Sequence, residues 1–481
     1  MKRLFILVSC LLLAGVALAQ NTTLSADEMY SKAKELAEAG DHAQAVEWYR
    51  KAAEQGYAEA QCYLGYCYDI GRGVEKDYSQ AVYWYRKAAE QGDATAQNNL
   101  GACYDNGRGV EQDYAQAVEW YRKSAEQGNA AAQCNLGDKY YFAQGVEKDY
   151  SQAVYWYRKA AEQGNAEAQN DLGACYDNGR GVEKDYAQAV EWYRKSAEQG
   201  YATAQCNLGD CYYYGRGVEK DYAQAVEWFR KAAEQGNAGA QNNLGDCYYY
   251  GRGVEQDYAL AVEWYRKAVE QGDADAQDNL GDCYYYGRGL EQDYALAVEW
   301  YRKSAEQGNV YAQYSLGHCC YYGRGVEKDY AQAVEWYRKA AEQGDADAQR
   351  KLGVCYYFGY GVKKDYTVAA EWFIKAAEGG KVEASLLGDI YYYGRGVDQD
   401  YAQAVEWYRK SNRRYKEIGD CYFEGKGVEQ DYAQAVAYYE KAIAESKWDR
   451  SARKALANCY RRGLGVEKDK AKAKQILKVV K

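Results

Sequence analysis

The chain repeats itself with a fixed period of 36 residues, as from Trp48 to Trp84 (84 − 48 = 36). The segment DYAQAVEWYRKSAEQG, which begins at Asp113, recurs as near-copies along almost the whole chain. Its tryptophan marks the period at Trp48, Trp84, Trp120, Trp156, Trp192, Trp228, Trp264, Trp300, Trp336 and Trp372. Such a period indicates an array of small units that must stack, because none of them can bury its hydrophobic face alone. The chain therefore grows by stacking and not by enlarging one core.

The composition of the repeat favours α-helix throughout. The chain has no proline, which would interrupt a helix. Alanine, glutamate, lysine, glutamine and arginine fill the repeat, and all of them favour helix. The 56 tyrosines and 12 tryptophans supply core material to an otherwise polar chain. A formal net charge of −10 argues against a nucleic-acid partner, which would require a basic face.

Residues 237–272 illustrate how one repeat predicts two helices. Ala238 to Tyr250 forms the first helix, and the glycines of Gly251-Arg252-Gly253 end it because glycine tolerates the left-handed conformation. Asp257 is a suitable N-cap for the second helix. The apolar residues that fall at helical spacings of three and four form one seam: Leu244, Tyr248, Ala261, Val262, Tyr265, Ala268 and Val269. We expect a close approach of the two helices at Gly245.

The repeat resembles a known family. Its pattern, A-x-A-Q-x-x-L-G-x-x-Y-x-x-G-x-G-V-x-x-D-Y-x-x-A-V-x-W-Y-x-K-A-A-E-Q-G, is similar to the Sel-1-like repeat, which is related to tetratricopeptide repeats; residues 237–272 read NAGAQNNLGDCYYYGRGVEQDYALAVEWYRKAVEQG. The resemblance implies an all-α fold, an α/α right-handed superhelical solenoid of about twelve helix-turn-helix repeats. It also implies an adaptor or scaffold for protein assembly.

The regularity of the array predicts its divisions. Residues 20–56 should form an N-terminal capping helical pair, and 57–380 should form nine regular repeats. Residues 381–446 contain two shortened repeats, and 447–481 form a C-terminal capping repeat. The sequence SNRRYK, from Ser411, replaces the usual connection and is basic in an acidic chain. It is either part of an eroded terminal repeat or an exposed basic patch.

The first 19 residues have the pattern of a secretory signal peptide. Lys2 and Arg3 precede an apolar run from Leu4 to Ala14, and Ala17-Leu18-Ala19 forms a small-x-small cleavage site. The apolar run is shorter than the ~20 residues that span a bilayer, and no later stretch could insert stably. We therefore expect export after cleavage between Ala19 and Gln20, to the periplasm or the medium of a bacterium.

The cysteines predict buried thiols. Ten of them share one repeat position: Cys67, Cys103, Cys175, Cys211, Cys247, Cys283, Cys319, Cys355, Cys421 and Cys459. Stacked units place equivalent atoms about 10 Å apart, whereas a disulfide requires Cα atoms within ~7 Å. Consecutive helical residues diverge around the axis, so His318-Cys319-Cys320 should not close a metal site. We expect neither a metal nor a cofactor.

An enzymatic alternative depends on two short motifs. Ser31 to Lys34 and Ser451 to Lys454 match the S-x-x-K motif of penicillin-recognising enzymes, but the companion S-D-N and K-T-G motifs are missing. The chain has two histidines, which leaves little for acid–base chemistry. A β-lactamase-like hydrolase, an activity assigned to some cysteine-rich relatives of the resembled family, is therefore the alternative to a non-enzymatic scaffold; a structural spacer is a third possibility.

The candidate binding surface is the concave wall, which first helices line in helical-pair solenoids. In early repeats the residues expected to face inward are Asp69, Asp105 and Asp177. From the fifth regular repeat on, the same position carries the residues that we call the ladder tyrosines: Tyr213, Tyr249, Tyr285, Tyr321, Tyr357 and Tyr392. Asp246 and Asp282 lie one turn earlier. Tyrosine favours interfaces and aspartate favours a basic partner, so we expect a protein or peptide with a basic segment; rings that only pack between repeats are the alternative.

Overall fold

The computed structural model describes residues 24–478. Within that range all regular secondary structure is α-helical, in 26 helices. The helices belong to two compact units, one that ends at Ala240 and one that begins at Gln241. The predicted signal peptide and its cleavage site after Ala19 lie outside the described residues. No helix in the described range is long and apolar enough to cross a membrane.

The first unit is a stack of antiparallel helical pairs, each the first and second helix of one repeat. Its helices are α1 (Ala26–Glu38), α2 (His42–Glu54), α3 (Ala58–Ile70), α4 (Tyr78–Glu90), α5 (Ala94–Asn106), α6 (Tyr114–Glu126), α7 (Ala130–Phe142), α8 (Tyr150–Glu162), α9 (Ala166–Asn178), α10 (Tyr186–Glu198), α11 (Ala202–Tyr214) and α12 (Tyr222–Glu234). Odd-numbered helices are the first helices of their repeats; α1 packs on α2, and each later one packs on the second helices before and after it.

The second unit repeats this arrangement. Its helices are α13 (Ala238–Tyr250, the first three residues of which precede Gln241), α14 (Tyr258–Glu270), α15 (Ala274–Tyr286), α16 (Tyr294–Glu306), α17 (Val310–Tyr322), α18 (Tyr330–Glu342), α19 (Ala346–Phe358), α20 (Tyr366–Glu378), α21 (Ala384–Tyr393), α22 (Tyr401–Ser411), α23 (Tyr415–Glu424), α24 (Tyr432–Glu445), α25 (Arg450–Arg462) and α26 (Lys470–Lys478). The all-α solenoid predicted from the period is confirmed in both units.

The helix ends follow the predicted caps. The Asp113 carboxylate accepts hydrogen bonds from the backbone N–H groups of Ala115 and Gln116 at the start of α6. Two donors that lack a partner in the first turn are thereby satisfied. At the end of α5, Gly107 adopts a left-handed conformation with φ of 66°. The capping Asp and Gly residues of each repeat therefore determine where its helices begin and end.

The predicted seam forms the core of each repeat. Leu244, Ala261, Val262, Tyr265 and Ala268 are buried, whereas Tyr248 and Val269 are half-buried. A Cβ placed on Gly245 would lie 2.5 Å from Cε1 of Tyr265. The expectation that this glycine permits a close approach of the two helices is therefore confirmed.

Neighbouring repeats are joined by polar contacts as well as by packing. The Arg86 guanidinium, on the second helix of one repeat, donates to the Tyr104 hydroxyl on the first helix of the next at 2.9 Å. The side-chain amide of Gln97 donates to the carbonyl oxygen of Ala89 in the preceding repeat at 3.1 Å. In the second unit, the second glycine of a Gly-Arg-Gly loop, Gly289, lies directly against the backbone of Tyr258 in the preceding repeat. These loops are turns, as expected, and they also join one repeat to the one before it.

The basic connection after α22 is compact. Asn412 and Arg414 both adopt left-handed conformations, with φ of 50° and 62°. Arg414 forms an ion pair at 2.5 Å with the buried carboxylate of Asp389, and Lys416 pairs with Asp420 at 2.5 Å. Part of the predicted basic patch is thus neutralised within the chain, and Arg413 stays exposed.

Ala143, at the end of α7, is a non-glycine residue with φ of 61° where sister repeats carry glycine. The left-handed conformation disfavours any residue with a Cβ by about 1–2 kcal/mol. We therefore expect Ala143→Gly to raise the free energy of unfolding by at most about 1 kcal/mol, because the greater freedom of glycine in the unfolded chain offsets part of the relieved strain. The control is Gly179→Ala at the equivalent position, which should lower it. Urea unfolding of both variants checks the pair, and a destabilised Ala143→Gly would contradict the strain argument.

Candidate functional site

The ladder tyrosines lie between neighbouring repeats. Tyr249, Tyr285 and Tyr357 are each only 6% exposed, and the other three are half-buried. The ring of Tyr285 lies 5.1 Å from that of Tyr294 and 6.3 Å from that of Tyr301. The expectation that these rings line an open wall therefore needs correction for the three buried ones. Tyr294 and Tyr301 belong to the same repeat as Tyr285, so contacts to a neighbouring repeat come from other groups.

Arginines of the Gly-Arg-Gly loops donate to the hydroxyls of Tyr249, Tyr285 and Tyr357. Arg288 donates to the Tyr249 hydroxyl at 2.6 Å, and Arg324 of the next repeat donates to the Tyr285 hydroxyl. Each bond joins a loop to the first helix of the preceding repeat. The ladder is therefore a joint between repeats, and any role of its tyrosines in binding a partner stays a prediction.

The residues that follow the ladder tyrosines carry the exposed rings. In the second unit they form the outer aromatic row: Tyr250 (53% exposed), Tyr286 (55%), Tyr322 (46%), Phe358 (45%) and Tyr393 (49%). Some of these rings also carry a guanidinium group on one face, as Arg288 does at 5.1 Å from the Tyr286 ring centroid. The sequence places these residues beside the ladder, but it does not show which member of each pair is covered.

Asp246 and Asp282 accept hydrogen bonds inside their own repeats. The Tyr265 hydroxyl donates to Asp246 at 2.7 Å, and the Tyr301 hydroxyl donates to Asp282 at 2.6 Å. Burial raises the pKa of Asp246 to about 6, although the bond from Tyr265 opposes the shift. These carboxylates satisfy buried hydroxyls, and their expected role in selecting a basic partner stays a prediction.

The three early aspartates occupy the ladder position of their repeats and differ in their partners. Asp105 forms an ion pair with Lys139 at 2.5 Å, and Asp177 with Arg216 at 3.7 Å. Asp69 receives only a long hydrogen bond, 3.5 Å, from the Tyr85 hydroxyl, and no ion pair of Asp69 occurs among residues 24–478. Asp69 lines a cavity of about 630 Å³.

This geometry of stacked helical pairs agrees with comparisons to known proteins. The Sel1 repeat model matches thirteen segments of the chain: 26–57, 58–93, 94–129, 130–165, 166–201, 202–237, 238–273, 274–309, 310–345, 346–381, 384–414, 417–446 and 451–478. The chain belongs to the Sel1 repeat family. Proteins built from Sel1 repeats typically act as scaffolds for protein interactions. The resemblance seen in the repeat pattern is confirmed.

Solved Sel1-type structures extend this result. A protective antigen of uropathogenic Escherichia coli, c5321, displays an SLR fold and is 41% identical to the chain. The match covers 90% of this chain and 93% of that one, with a TM-score of 0.64. A Sel1 repeat protein of Oxalobacter formigenes is 39% identical over 50% of this chain and 96% of its own, with a TM-score of 0.48. No curated protein matches the chain.

The thiols of this Sel1 repeat protein are enclosed in its cores. All fourteen cysteines in the described residues are buried, and none of these fourteen forms a disulfide. Burial raises the pKa of Cys175 and Cys283 to about 12, so the reactive thiolate is suppressed. We expect a thiol reagent to label few of them in native protein and all fourteen in denaturant. Fewer than seven reactive thiols in denaturant would reveal disulfides that the fold does not contain.

The surroundings of His318 and of the two S-x-x-K serines bear on the suggested metal and hydrolase chemistry. Residues 24–478 contain no group of three or more His, Cys, Asp or Glu residues arranged to hold a metal. Burial, with Lys351 and Arg324 nearby, lowers the pKa of His318 to about 4. In the S-x-x-K segments Ser31 and Ser451 are exposed, and the Ser451 hydroxyl donates to Asp449 at 2.7 Å in a helix cap. The Ser451 hydroxyl therefore takes part in the cap of the helix that begins at Arg450.

One carboxylate should make the stability of the chain depend on pH. Asp171 lies in α9, and burial with the charge of Asp138 raises its pKa to about 7. A folded-state pKa above the unfolded value contributes stability below about pH 4, and that stability is lost as the pH rises through about 7. Sister repeats carry asparagine at this position, as at Asn135. We expect Asp171→Asn to stabilise the chain at pH 8 by at least about 1 kcal/mol.

Chemical unfolding at pH 4 and pH 8 checks this expectation. The gain from Asp171→Asn should be much smaller at pH 4, where Asp171 is protonated in the folded chain. Glu183→Gln, at an exposed loop position, is the control for removing a negative charge. An equal gain at both pH values would contradict the titration of Asp171.

Proposed function

We propose that the chain is a non-enzymatic scaffold that binds a protein or peptide partner along the face of its first helices. The outer aromatic row of the second unit is the observation that supports this proposal best. Its rings stand at equivalent ends of successive first helices, and each is between 45% and 55% exposed. A row of exposed aromatic rings is suited to an interaction site, because aromatic residues are enriched at protein interfaces.

The row suits an extended partner. Tyrosine provides a large, rigid contact area at low entropic cost, and its hydroxyl adds hydrogen bonds. Because the same position recurs in each repeat, a peptide lying along the row would meet a ring at each step. Aromatic residues in such positions commonly carry most of the binding energy of an interface.

We propose that the partner has a basic segment. The chain has a formal net charge of −10, which attracts a basic partner over long range. Electrostatic attraction of this kind is screened by salt. Binding should therefore weaken as the ionic strength rises, mainly through a slower association rate. An affinity that does not change with salt would contradict this part of the proposal.

A triple substitution taken from the chain's own repeats tests the row. Tyr250→Asn, Tyr286→Asn and Tyr322→Asn install the residue found at the same position in Asn106 and Asn178. The fold should tolerate it, because sister repeats already carry asparagine there. Ile374→Arg is the matched control, since Ile374 is 37% exposed on a second helix and sister repeats carry arginine at its position.

The measurement compares proteins retained from an envelope extract by the wild-type chain and by both variants. A partner held by the wild type and by Ile374→Arg should be lost by the triple variant, with an affinity about 30-fold weaker, equivalent to ~2 kcal/mol. Equal retention by all three would refute binding at the row. Nitrocefin should stay intact with the purified chain, and its turnover would favour the hydrolase alternative.

We propose export as the route by which the chain meets its partner. The basic, apolar and small-x-small regions of residues 1–19 support it. Terminal sequencing of the exported protein should find Gln20 first. Recovery of the uncleaved chain from the cytoplasm would overturn this proposal.

A further inference from the structure

Three cavities lie at the same place in their repeats, between the end of one first helix and the next first helix. They differ in the residue at the ladder position. The cavities at Tyr141 and Tyr285 each hold about 140 Å³, whereas the cavity at Asp69 holds about 630 Å³. A tyrosine ring fills this space and an aspartate leaves it open. We call the large one the Asp69 cavity; it is lined by Tyr63, Tyr66, Asp69, Arg72, Tyr85, Cys103 and Arg108, among others.

In the next repeat the equivalent space, beside Asp105, is filled by a side chain of the protein itself. Lys139, from the following first helix, places its Nζ 2.5 Å from Asp105 Oδ1 and 2.8 Å from Gln144 Oε1. The Lys139 side chain is only 7% exposed. The Tyr121 hydroxyl donates to the other oxygen of Asp105 at 3.3 Å. An ammonium group is thus held by a carboxylate and an amide beneath a buried tyrosine.

The Asp69 cavity has the carboxylate and the tyrosine of this arrangement but not the lysine, and Arg108 stands in the place of the amide. Asp69 stands in the place of Asp105, and the Tyr85 hydroxyl donates to it at 3.5 Å. Cys103 stands where the next repeat has Lys139, so the volume of a lysine side chain is left vacant. Tyr63 and Tyr66 line the cavity and are 43% and 38% exposed, and the Arg72 guanidinium already lies 5.9 Å from the Tyr66 ring centroid, so this cavity has aromatic faces that a cation can reach.

We propose that the Asp69 cavity binds a lysine side chain of the protein partner. The ammonium group pairs with Asp69, and the rings of Tyr63 and Tyr66 enclose the methylene stem. This site deepens the proposed function, because it gives the basic segment of the partner a specific anchor. It lies in the first unit and can be measured without the partner.

Two arginines of the chain line the Asp69 cavity, Arg72 and Arg108, and Arg108 is the one placed to compete for Asp69. Its counterpart Arg216 reaches the equivalent aspartate, Asp177, at 3.7 Å. In the repeat filled by Lys139 the same position is Gln144, which accepts from the lysine. We therefore expect Arg108→Gln to strengthen lysine binding, because it removes a competing cation and adds an acceptor.

The probe is Nα-acetyl-lysine methylamide, titrated by saturation-transfer NMR against the full chain. The neutral norleucine analogue has the same stem without the ammonium group. We expect the lysine probe to bind at least 10-fold more tightly than the norleucine probe. Asp69→Asn should weaken it at least 10-fold, and Asp171→Asn, outside the Asp69 cavity, should leave it unchanged.

A second variant fills the cavity with the two residues that stand at the equivalent positions of the next repeat. Cys103→Lys combined with Arg108→Gln reproduces the pair found at Lys139 and Gln144, and it should abolish probe binding while preserving the helical circular dichroism spectrum. Equal affinity for the lysine and norleucine probes overturns the proposal. So does an affinity for the lysine probe that neither Asp69→Asn nor the filled variant changes. Should the filled variant fail to fold, Asp69→Asn decides alone.

The two proposals can fail separately. The asparagine substitutions in the outer aromatic row can leave partner retention unchanged while binding of the lysine probe still depends on Asp69. In that case the proposed binding at the row is refuted and the proposed lysine site is supported. If the probe does not depend on Asp69, the cavity proposal is overturned whatever the row does.

Discussion

Replacing Gly289 by alanine is expected to lower the free energy of unfolding by about 2–5 kcal/mol. The residue has φ of 71°, and a Cβ built on it would lie 2.2 Å from the carbonyl oxygen of Tyr258. The left-handed conformation contributes about 1–2 kcal/mol of this loss, and the overpacking another 1–3 kcal/mol. The neighbouring atom belongs to the helical backbone of the preceding repeat, so it cannot move aside as a flexible side chain could.

A second glycine separates the two contributions. Gly272 has φ of 85°, and a Cβ on it would meet nothing within 4 Å. Gly272→Ala should therefore show the conformational loss alone, about 1–2 kcal/mol. Urea unfolding followed by circular dichroism measures both variants. Equal losses at Gly272 and Gly289 would mean that the loop does not press on the preceding repeat.

Asp282→Val is expected to destabilise the second unit by about 1–3 kcal/mol, because it leaves the buried hydroxyl of Tyr301 without its acceptor. That hydroxyl donates to Asp282 at 2.6 Å, and Tyr301 is 2% exposed. Tyr301→Phe should destabilise by a similar amount, since it leaves a largely buried carboxylate without its donor. Burial already raises the pKa of Asp282, so its charged form is poorly tolerated there.

The double variant should recover much of this loss. Residues 345–380 carry Val354 and Phe373 at the two equivalent positions, and Phe373 is fully buried. Asp282→Val with Tyr301→Phe installs that apolar pair, so no buried polar group is left unmatched. A double-mutant cycle measures the coupling, which we expect to be about 1–3 kcal/mol. Additive losses would show that the hydrogen bond contributes little.

The 36-residue period and the Asp and Gly residues at the helix ends were enough to predict the helical pairs, their caps and the seam. Leu244 and Tyr265 are buried as expected, and Gly245 lies against the Tyr265 ring. These features could be predicted because they depend on contacts inside one repeat, where helical spacing determines which residues meet. The same reasoning predicted the buried thiols, since one repeat position has one environment.

The candidate site was predicted less well because it depends on contacts between repeats. Whether Tyr285 or Tyr286 is covered is determined by Arg324 and by the rings around Tyr285, and a helical pattern does not reveal how neighbouring repeats are aligned. The sequence contained one indication of the bond between Asp282 and Tyr301: at the two equivalent positions of a later repeat, Val354 occurs together with Phe373. Asp210 occurs with Phe229, so the pairing is not strict.

The joints between repeats also bear on how fast the chain folds. The Arg86 to Tyr104 bond spans 18 residues, and the Arg288 to Tyr249 bond spans 39. Because these contacts reach only the adjacent repeat, adding a repeat lengthens the chain without lengthening its loops. Relative contact order, which slows folding as it rises, should therefore fall with each added repeat. Nucleation can begin at any well-formed pair of neighbours and spread from there, so a long array need not fold more slowly than a short one.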